Sequence, residues 1–216
     1  MEIKELYEKN PYFAKPAKER YEDFKNTDPF PEIPQALLNY EDILKYVLTT
    51  GMIDPFEPEP KPEQEPEQSK LSGAIYTCDF SGKYFYWDNE GKYHTGSAAG
   101  EGLTLLSNSI TFLEIKQYFR IPSYIALRFN LRVHHVYKGL LLGTGPIIDP
   151  GFIGRIHIPL HNLTSNEYVI KKDAPLINVE FTKLSHNPIW DIEPCSKHKK
   201  IVQDLNFSGI QYRKKK

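Results

Sequence analysis

The sequence contains little cysteine, with only Cys78 and Cys195 among 216 residues. The two cysteines are far apart and neither belongs to a CxxC pair. This excludes a zinc site built on paired cysteines and provides no disulfide framework. Because the N-terminal residues "MEIKELYEKNPYF" are polar and do not resemble a secretory signal, we expect a protein of the reducing cytoplasm.

Long hydrophobic runs and an excess of charge of one sign are also missing. No apolar stretch approaches the roughly 20 residues that span a bilayer. The 27 Lys and Arg residues nearly balance the 28 Asp and Glu residues, which leaves a formal net charge of −1. We therefore expect no membrane association and no binding to duplex nucleic acid, which requires a broad basic surface.

Composition divides the chain into four segments. Residues 1–53 form an N-terminal helical arm, residues 54–70 an acidic Pro-rich linker, residues 71–184 a β domain and residues 185–216 a polar basic tail. The linker holds a single non-proline apolar residue, Phe56, so we interpret it as solvated and partly extended chain. The alternative is a proline-rich ligand for an SH3-like partner, but clear basic specificity residues are missing.

The strongest helix signal is "NYEDILKYVLTTG" in the N-terminal segment. Asn39 is suited to cap the first turn, and Gly51 is suited to end the helix. The apolar residues Ile43, Leu44, Val47 and Leu48 form one stripe, which predicts an amphipathic helix.

The third segment shows many short runs of Tyr, Phe, Ile and Val between turn signals, with no helical segment between them. Examples are "YIALRFNL", "RVHHVY", "IGRIHIPLHN" and "LINVEFTKL". This pattern predicts a β-sandwich or closed barrel such as a jelly roll. If "RVHHVY" is a strand, His134 and His135 point to opposite faces, so at most one of them faces any given site.

The segment "GPIIDPGFIG" carries one acid, Asp149, directly before the turn dipeptide Pro150-Gly151. Two interpretations are open. Asp149 could accept turn N–H groups in a purely structural corner. It could instead be a fixed carboxylate in an active site, with Gly154 allowing close approach of a ligand.

With "SNSITFLEIKQYFRIPSYIALRF" before it and "YVIKKDAPLINVEFTKL" after it, this segment resembles the dCTP deaminase/dUTPase superfamily. The motif Ile148-Asp149-Pro150-Gly151-Phe152 is more similar to the deaminase branch than to the dUTPase branch. Gly139-Leu140, Thr144 and Gly154 also match the family pattern. The resemblance covers residues ~72–184. It implies a mainly β, jelly-roll-like (β-clip) barrel of the dUTPase type, assembled as a homotrimer.

The resemblance also implies a function. Pyrimidine deoxynucleoside triphosphates, dCTP or dUTP with Mg²⁺ on the phosphates, would bind between subunits. Asp149 would lie against the deoxyribose as the catalytic carboxylate, since a fixed carboxylate can accept a hydroxyl hydrogen bond and act as a general base. We expect nucleotide binding by matching or nearby residues and no protein-held metal; these residues are Arg128, Arg132, His134, Lys138, Gly139, Thr144 and Gly154.

The sequence departs from the family in places that matter for catalysis. Deaminases carry an Arg-Ser-Ser-x-x-Arg stretch where this chain has "RVHHVYKGL", and a catalytic glutamate where it has Pro159. The Arg and Gln of the dUTPase segment are absent from "KKDAPLINVEF". His157 and His161 share a strand face, but with Pro159 between them and no carboxylate nearby in sequence we do not expect a metal pair.

Two functions therefore remain open. The first is a nucleotide binder or enzyme, in which triphosphate hydrolysis is favoured over deamination. The second is a non-catalytic trimeric interaction module or nucleotide-sensing regulator, whose N-terminal helices recruit a protein partner. The basic tail could contact nucleotide phosphate, or it could simply be solvated.

Overall fold

The computed structural model describes residues 14–58, 69–98, 100, 102–143, 145 and 147–185. Within these residues the helices are α1 (Ala17–Phe24), α2 (Tyr40–Thr50) and α3 (Val133–Val136). The strands are β1 (Ile53–Asp54), β2 (Leu71–Ser72), β3 (Ile75–Trp87), β4 (Tyr93–Ser97), β5 (Leu103–Leu105), β6 (Ile110–Arg120), β7 (Ile125–Leu131), β8 (Leu140–Leu142), β9 (Ile147–Ile148), β10 (Ile153–Asn162), β11 (Tyr168–Ile170) and β12 (Pro175–Lys183).

Most strands belong to one curled antiparallel sheet. Over the described residues its main path runs β8-β10-β6-β3-β12-β7-β9, with β1 beside β6 and both β2 and β4 beside β3. Strand β3 is 13 residues long and joins two parts of the sheet. Its first residues pair with β12, and its later residues pair with β6 and β4. A register shift between Phe80 and Tyr84 marks the bend, because an irregular pairing bends a strand and increases its twist. The predicted mainly β, jelly-roll-like architecture is confirmed.

The helix predicted from "NYEDILKYVLTTG" is also confirmed. The side chain of Asn39 accepts a hydrogen bond from the N–H of Asp42 at 3.0 Å. Gly51 adopts a left-handed φ of 65° and its N–H donates to the carbonyl of Val47. Both ends of α2 are therefore satisfied by the residues that the sequence indicated.

The described part of the N-terminal segment, residues 14–53, packs against the β core. The α2 side chains Ile43, Leu44 and Val47 belong to the same buried cluster as Ile115 and Phe119 of β6. Residues 36–38 run beside β12, where the N–H of residue 38 donates to the carbonyl of residue 181. The apolar stripe of α2 is thus buried in its own chain and is not presented to a protein partner.

The two ends of the acidic segment also contact the β domain. The rings of Phe56 and Tyr76 lie 4.9 Å apart between centroids. Lys70 forms ion pairs with Glu57 at 2.7 Å and with the buried Asp79 at 2.5 Å. The solvated-linker interpretation therefore cannot extend to residues 54–58 and 69–70; residues 59–68, and the tail from residue 186, lie outside the described residues.

Gly51 provides a test of how closely α1 approaches α2. A β-carbon at this position would lie 2.3 Å from the carbonyl oxygen of Ala17. We expect Gly51→Ala to lower the free energy of unfolding by about 2–4 kcal/mol, because left-handed strain adds to a backbone clash. Gly73 is the matched control, with a φ of +55° and open space around its α-carbon. Gly73→Ala should cost about 1–2 kcal/mol, and equal losses in urea unfolding would contradict the close packing of α1.

Candidate functional site

The turn that carries Asp149 is firmly anchored to the sheet. After β9, the N–H of Phe152 donates to the carbonyl of Asp149 at 3.3 Å, and Gly151 has a left-handed φ of 80°. The N–H of Gly151 donates to the carbonyl of Ile121, and the N–H of Ile121 donates to the carbonyl of Phe152. These bonds fix the corner against the β6–β7 connection and leave Asp149 exposed. A carboxylate on such a rigid support is suited to binding or catalysis.

Arg128 lies beside this turn. On β7 it pairs with Ile147 of β9, and both residues are exposed, while the next pair, Leu127 and Ile148, is buried. Asp149 is exposed two residues beyond Ile147, so the alternation of strand faces places Arg128 and Asp149 on the same side. Strand β9 ends the main path of the sheet over the described residues. The first group of candidate residues is therefore at an open sheet edge.

The two consecutive histidines are not in a strand, which corrects the sequence-based expectation. They lie in the one-turn helix α3, and their ring centroids are 4.1 Å apart. The short helix is closed by N–H groups of residues 135–137, which donate to the carbonyls of Arg132 and Val133. Val133 and Val136 are β-branched, which is why the segment "RVHHVY" resembled a strand in the sequence. The polar residues next to these valines allow the segment to form a helical turn at the surface instead.

His135 has a structural role. It is only 3% exposed, and its Nε2 lies 2.9 Å from the carbonyl oxygen of Pro175. Because a carbonyl can only accept, Nε2 carries the proton and Nδ1 faces the hydroxyl of Tyr168 at 3.3 Å. Burial lowers the pKa of His135 despite the Pro175 hydrogen bond, so the ring is held neutral. His134 is exposed and is the histidine of this pair that a ligand can reach.

Lys138 and Gly139 end this helical turn. Gly139 has a left-handed φ of 83°, and its carbonyl accepts the N–H of Leu163 at 3.0 Å. A β-carbon at Gly139 would lie 2.2 Å from a methyl carbon of Thr164. The glycine thus allows the connection after α3 to pack on the turn that follows β10, with Lys138 exposed beside it.

One chain does not bring all these residues together. Gly154 is at the start of β10, opposite Phe119, whereas Gly139 is bonded to the residue just beyond the end of β10. At ~3.3 Å per residue, the nine residues from Gly154 to Leu163 separate these two places by about 30 Å along β10. Asp149, Arg128 and Gly154 form one group, and His134, Lys138 and Gly139 form another, with Arg132 directly before α3. Thr144 lies outside the described residues.

Pro159 occupies the position where the family resemblance implies a glutamate. It pairs with Phe112 of β6, and its carbonyl accepts the N–H of Gly143 at 2.9 Å. Proline provides no ionisable group, so this position can neither donate nor accept a proton from a ligand.

A carboxylate that sequence reasoning missed lies close by on the neighbouring strand. Glu114 of β6 pairs with His157, with 3.5 Å between Oε2 and Nε2. Its Oε1 is 3.9 Å from both Lys83 Nζ and Arg155 Nε. Burial alone would raise the pKa of Glu114, but the hydrogen bonds from His157 and Ser81 and the charge of Lys83 hold it below the ordinary value. His157 therefore has a carboxylate partner that is 43 positions away in sequence, which no local motif could indicate.

No cluster of three or more His, Cys, Asp or Glu side chains suited to a metal ion occurs in the described part of the chain. Likewise, no helix within those residues is long and apolar enough to cross a membrane. The lack of such a cluster does not test the expectation that the protein itself holds no metal, because a metal can enter with a ligand.

No protein-family model matches the sequence, and no curated protein matches it either. Solved structures do match. The dCTP deaminase of Agrobacterium tumefaciens matches with a TM-score of 0.54 and 11% identity, over 75% of this chain and 53% of that chain. A dUTPase of Streptococcus mutans has a TM-score of 0.41 and 14% identity, over 62% of this chain and 97% of that chain. The EIAV dUTPase has a TM-score of 0.37 and 12% identity, over 52% of this chain and 91% of that chain.

The match to the dCTP deaminase structure shows the fold, which is dCTP deaminase/dUTPase-like. The match to the deaminase covers a region longer than residues 71–184. The likeness therefore extends beyond the part of the sequence that carries the resemblance, in agreement with the packing of α2 into the core. The chain spans about half the length of that deaminase structure.

Proposed function

We propose that this protein binds pyrimidine deoxynucleoside triphosphates, with Mg²⁺ on the phosphates, at sites formed between copies of the chain in a homotrimer. The observation that carries the proposal is that Gly154, close to the Asp149 turn, and Gly139, at the end of the α3 turn, lie at opposite ends of β10. In a cyclic oligomer a surface of one subunit meets a different surface of the next. Such an arrangement can unite the two groups in three equivalent sites.

The two groups supply complementary chemistry. Asp149, on its anchored turn, accepts a hydrogen bond from the deoxyribose hydroxyl, and Arg128 lies on the same side of the sheet. Lys138 and Arg132 of the next subunit provide positive charge, and His134 provides an accessible ring nitrogen. Cationic side chains bind phosphate oxygens through charge-assisted hydrogen bonds.

Mg²⁺ fits this arrangement as part of the substrate. The described residues contain no cluster that would hold the ion alone. Mg²⁺ typically keeps several waters and binds through substrate phosphates with one or two carboxylates at most. The ion would then arrive with the triphosphate and reduce its negative charge.

Binding is tested by thermal unfolding of the full chain with Mg²⁺ and each of dCTP, dUTP, dTTP, dATP and dGTP. A ligand at 100 times its Kd stabilises the native state by about 2.7 kcal/mol, so the pyrimidine nucleotides should raise Tm by several degrees. Light scattering should give about three times the 25.0 kDa of one chain. A monomeric mass, or equal shifts with all five nucleotides, would contradict the proposal.

Mixed trimers test whether each site is shared. Asp149→Asn and Lys138→Ala should each abolish the Tm shift alone. After coexpression, some interfaces combine an intact Asp149 with an intact Lys138, and random assembly restores about one quarter of the sites. Calorimetric titration measures that fraction. Absence of any recovery in verified mixed trimers would place both residues in one subunit's site or outside the site.

A further inference from the structure

A groove of about 840 Å³ lies between the β3–β4 hairpin and the turn that joins β5 to β6. Its walls include Tyr86, Trp87, Thr104, Asn108 and Phe112. None of the described candidate residues of the nucleotide site lines it. The groove contacts the first residues of β6, whereas the Asp149 turn is bonded to Ile121 beyond the end of β6. Its volume is within the range of small-molecule sites, which is about 300–1,000 Å³.

The described lining of the groove holds one carboxylate, that of Asp88. No lysine or arginine is among the described residues that line it. The carboxylate of Asp88 lies 2.7 Å from His94 Nε2 and accepts the N–H groups of Glu90 and Lys92. A triphosphate would lose its hydration here without gaining a cation, so the groove is suited to a neutral ligand.

The walls combine fixed aromatic rings with hydrogen-bonding groups. Trp87 makes an edge contact with Phe112, with 5.3 Å between ring centroids. Tyr86 stacks on His94 at 4.9 Å and an interplanar angle of 13°. Rings held in this way are ready to contact a flat ligand, because a nucleobase stacks favourably on an aromatic side chain. The hydroxyl of Thr104 and the amide of Asn108 add polar groups at the same groove.

We propose that this groove is a second ligand site, which binds a neutral nucleoside with its base against Trp87 and its hydroxyls towards Thr104 and Asn108. The site is independent of the nucleotide site at Asp149. It would let the protein bind the dephosphorylated form of a nucleotide while the charged form binds elsewhere.

The test is a titration of the full chain with deoxycytidine, with thymidine and with methyl glucoside. Methyl glucoside is the control that has sugar hydroxyls but no nucleobase. Trp87 and Trp190 are the two tryptophans of the sequence, so a Trp190→Phe background assigns the fluorescence change to Trp87. Calorimetry in parallel reports binding whether or not the fluorescence responds. We expect saturable binding of the nucleosides and none of methyl glucoside. Binding of the sugar alone, or of neither, would overturn the proposal.

Two variants locate the bound nucleoside. Asn108 has a positive φ of 51°, so Asn108→Gly removes its side chain without backbone strain. Thr104→Val removes a hydroxyl at nearly constant volume. Each should weaken nucleoside binding about 3- to 10-fold, whereas Asn130→Ala, at an exposed position of β7, should leave it unchanged. Asp149→Asn should also leave it unchanged, and loss of binding there would assign the nucleoside to the nucleotide site instead.

Discussion

Replacing Lys183 with methionine is expected to lower the free energy of unfolding by about 3–5 kcal/mol, the usual cost of breaking a buried ion pair from one side. Lys183 is 4% exposed. Its ammonium group donates to Asp28 Oδ2 at 2.7 Å and to the carbonyls of Phe30 and Ile33. Asp28 also accepts the hydroxyl of Tyr46 at 2.8 Å. The variant would leave a carboxylate and two carbonyls without their cation.

Controls separate this network from a general effect of losing a lysine. Lys45 pairs with Glu41 at the surface of α2, and Lys45→Met should cost less than about 0.5 kcal/mol. The double variant Lys183→Met with Asp28→Asn should be more stable than Lys183→Met alone, because the uncompensated carboxylate is removed. Urea unfolding measures all three. A loss for Lys183→Met as small as that for Lys45→Met would show that the Lys183 side chain does not stabilise the packing of residues 28–33 on β12.

This network explains why the N-terminal segment could not be placed from the sequence. Asn39, Gly51 and the stripe of α2 are local signals, and they predicted that helix with its caps. The partner of Lys183, however, is 155 residues earlier in the chain. Composition separated residues 1–53 from the β domain because the helical and strand patterns differ, although apolar side chains between residues 33 and 53 share one core with the strands.

The candidate site shows the same limit. The Pro-Gly turn and its acid were evident in the sequence, and the structure confirms a tight corner anchored at residue 121. The distance between the Asp149 group and the Lys138 group depends on how β10 crosses the sheet, which the turn sequence does not encode. The pairing of Glu114 with His157 depends on strand register and was missed for the same reason.

Catalysis is the second place where a large effect is expected. We expect no deamination of dCTP above background. Deamination requires a proton carrier beside the base, and Pro159 stands where the family resemblance implies that carrier. Losing a general acid or base typically costs about 10²–10⁴ in rate. Conversion of dCTP to dUTP at an enzymatic rate would contradict this, and its loss in Glu114→Gln would then identify the carboxylate on the neighbouring strand as the replacement.

Hydrolysis of the triphosphate is the reaction that we expect Asp149 to support in the proposed nucleotide site. Its carboxylate is exposed on a rigid turn, where it can orient and deprotonate a water molecule. Asp149→Asn keeps the size of the side chain but removes the base, so we expect the rate of dUTP or dCTP hydrolysis to fall about 10²- to 10⁴-fold. Asp23→Asn, at the exposed ion pair with Lys15, is the matched control and should retain full activity. Release of phosphate or pyrophosphate from both nucleotides measures the hydrolysis rate of each variant. Hydrolysis that continues unchanged in Asp149→Asn would mean that this turn has only a structural role.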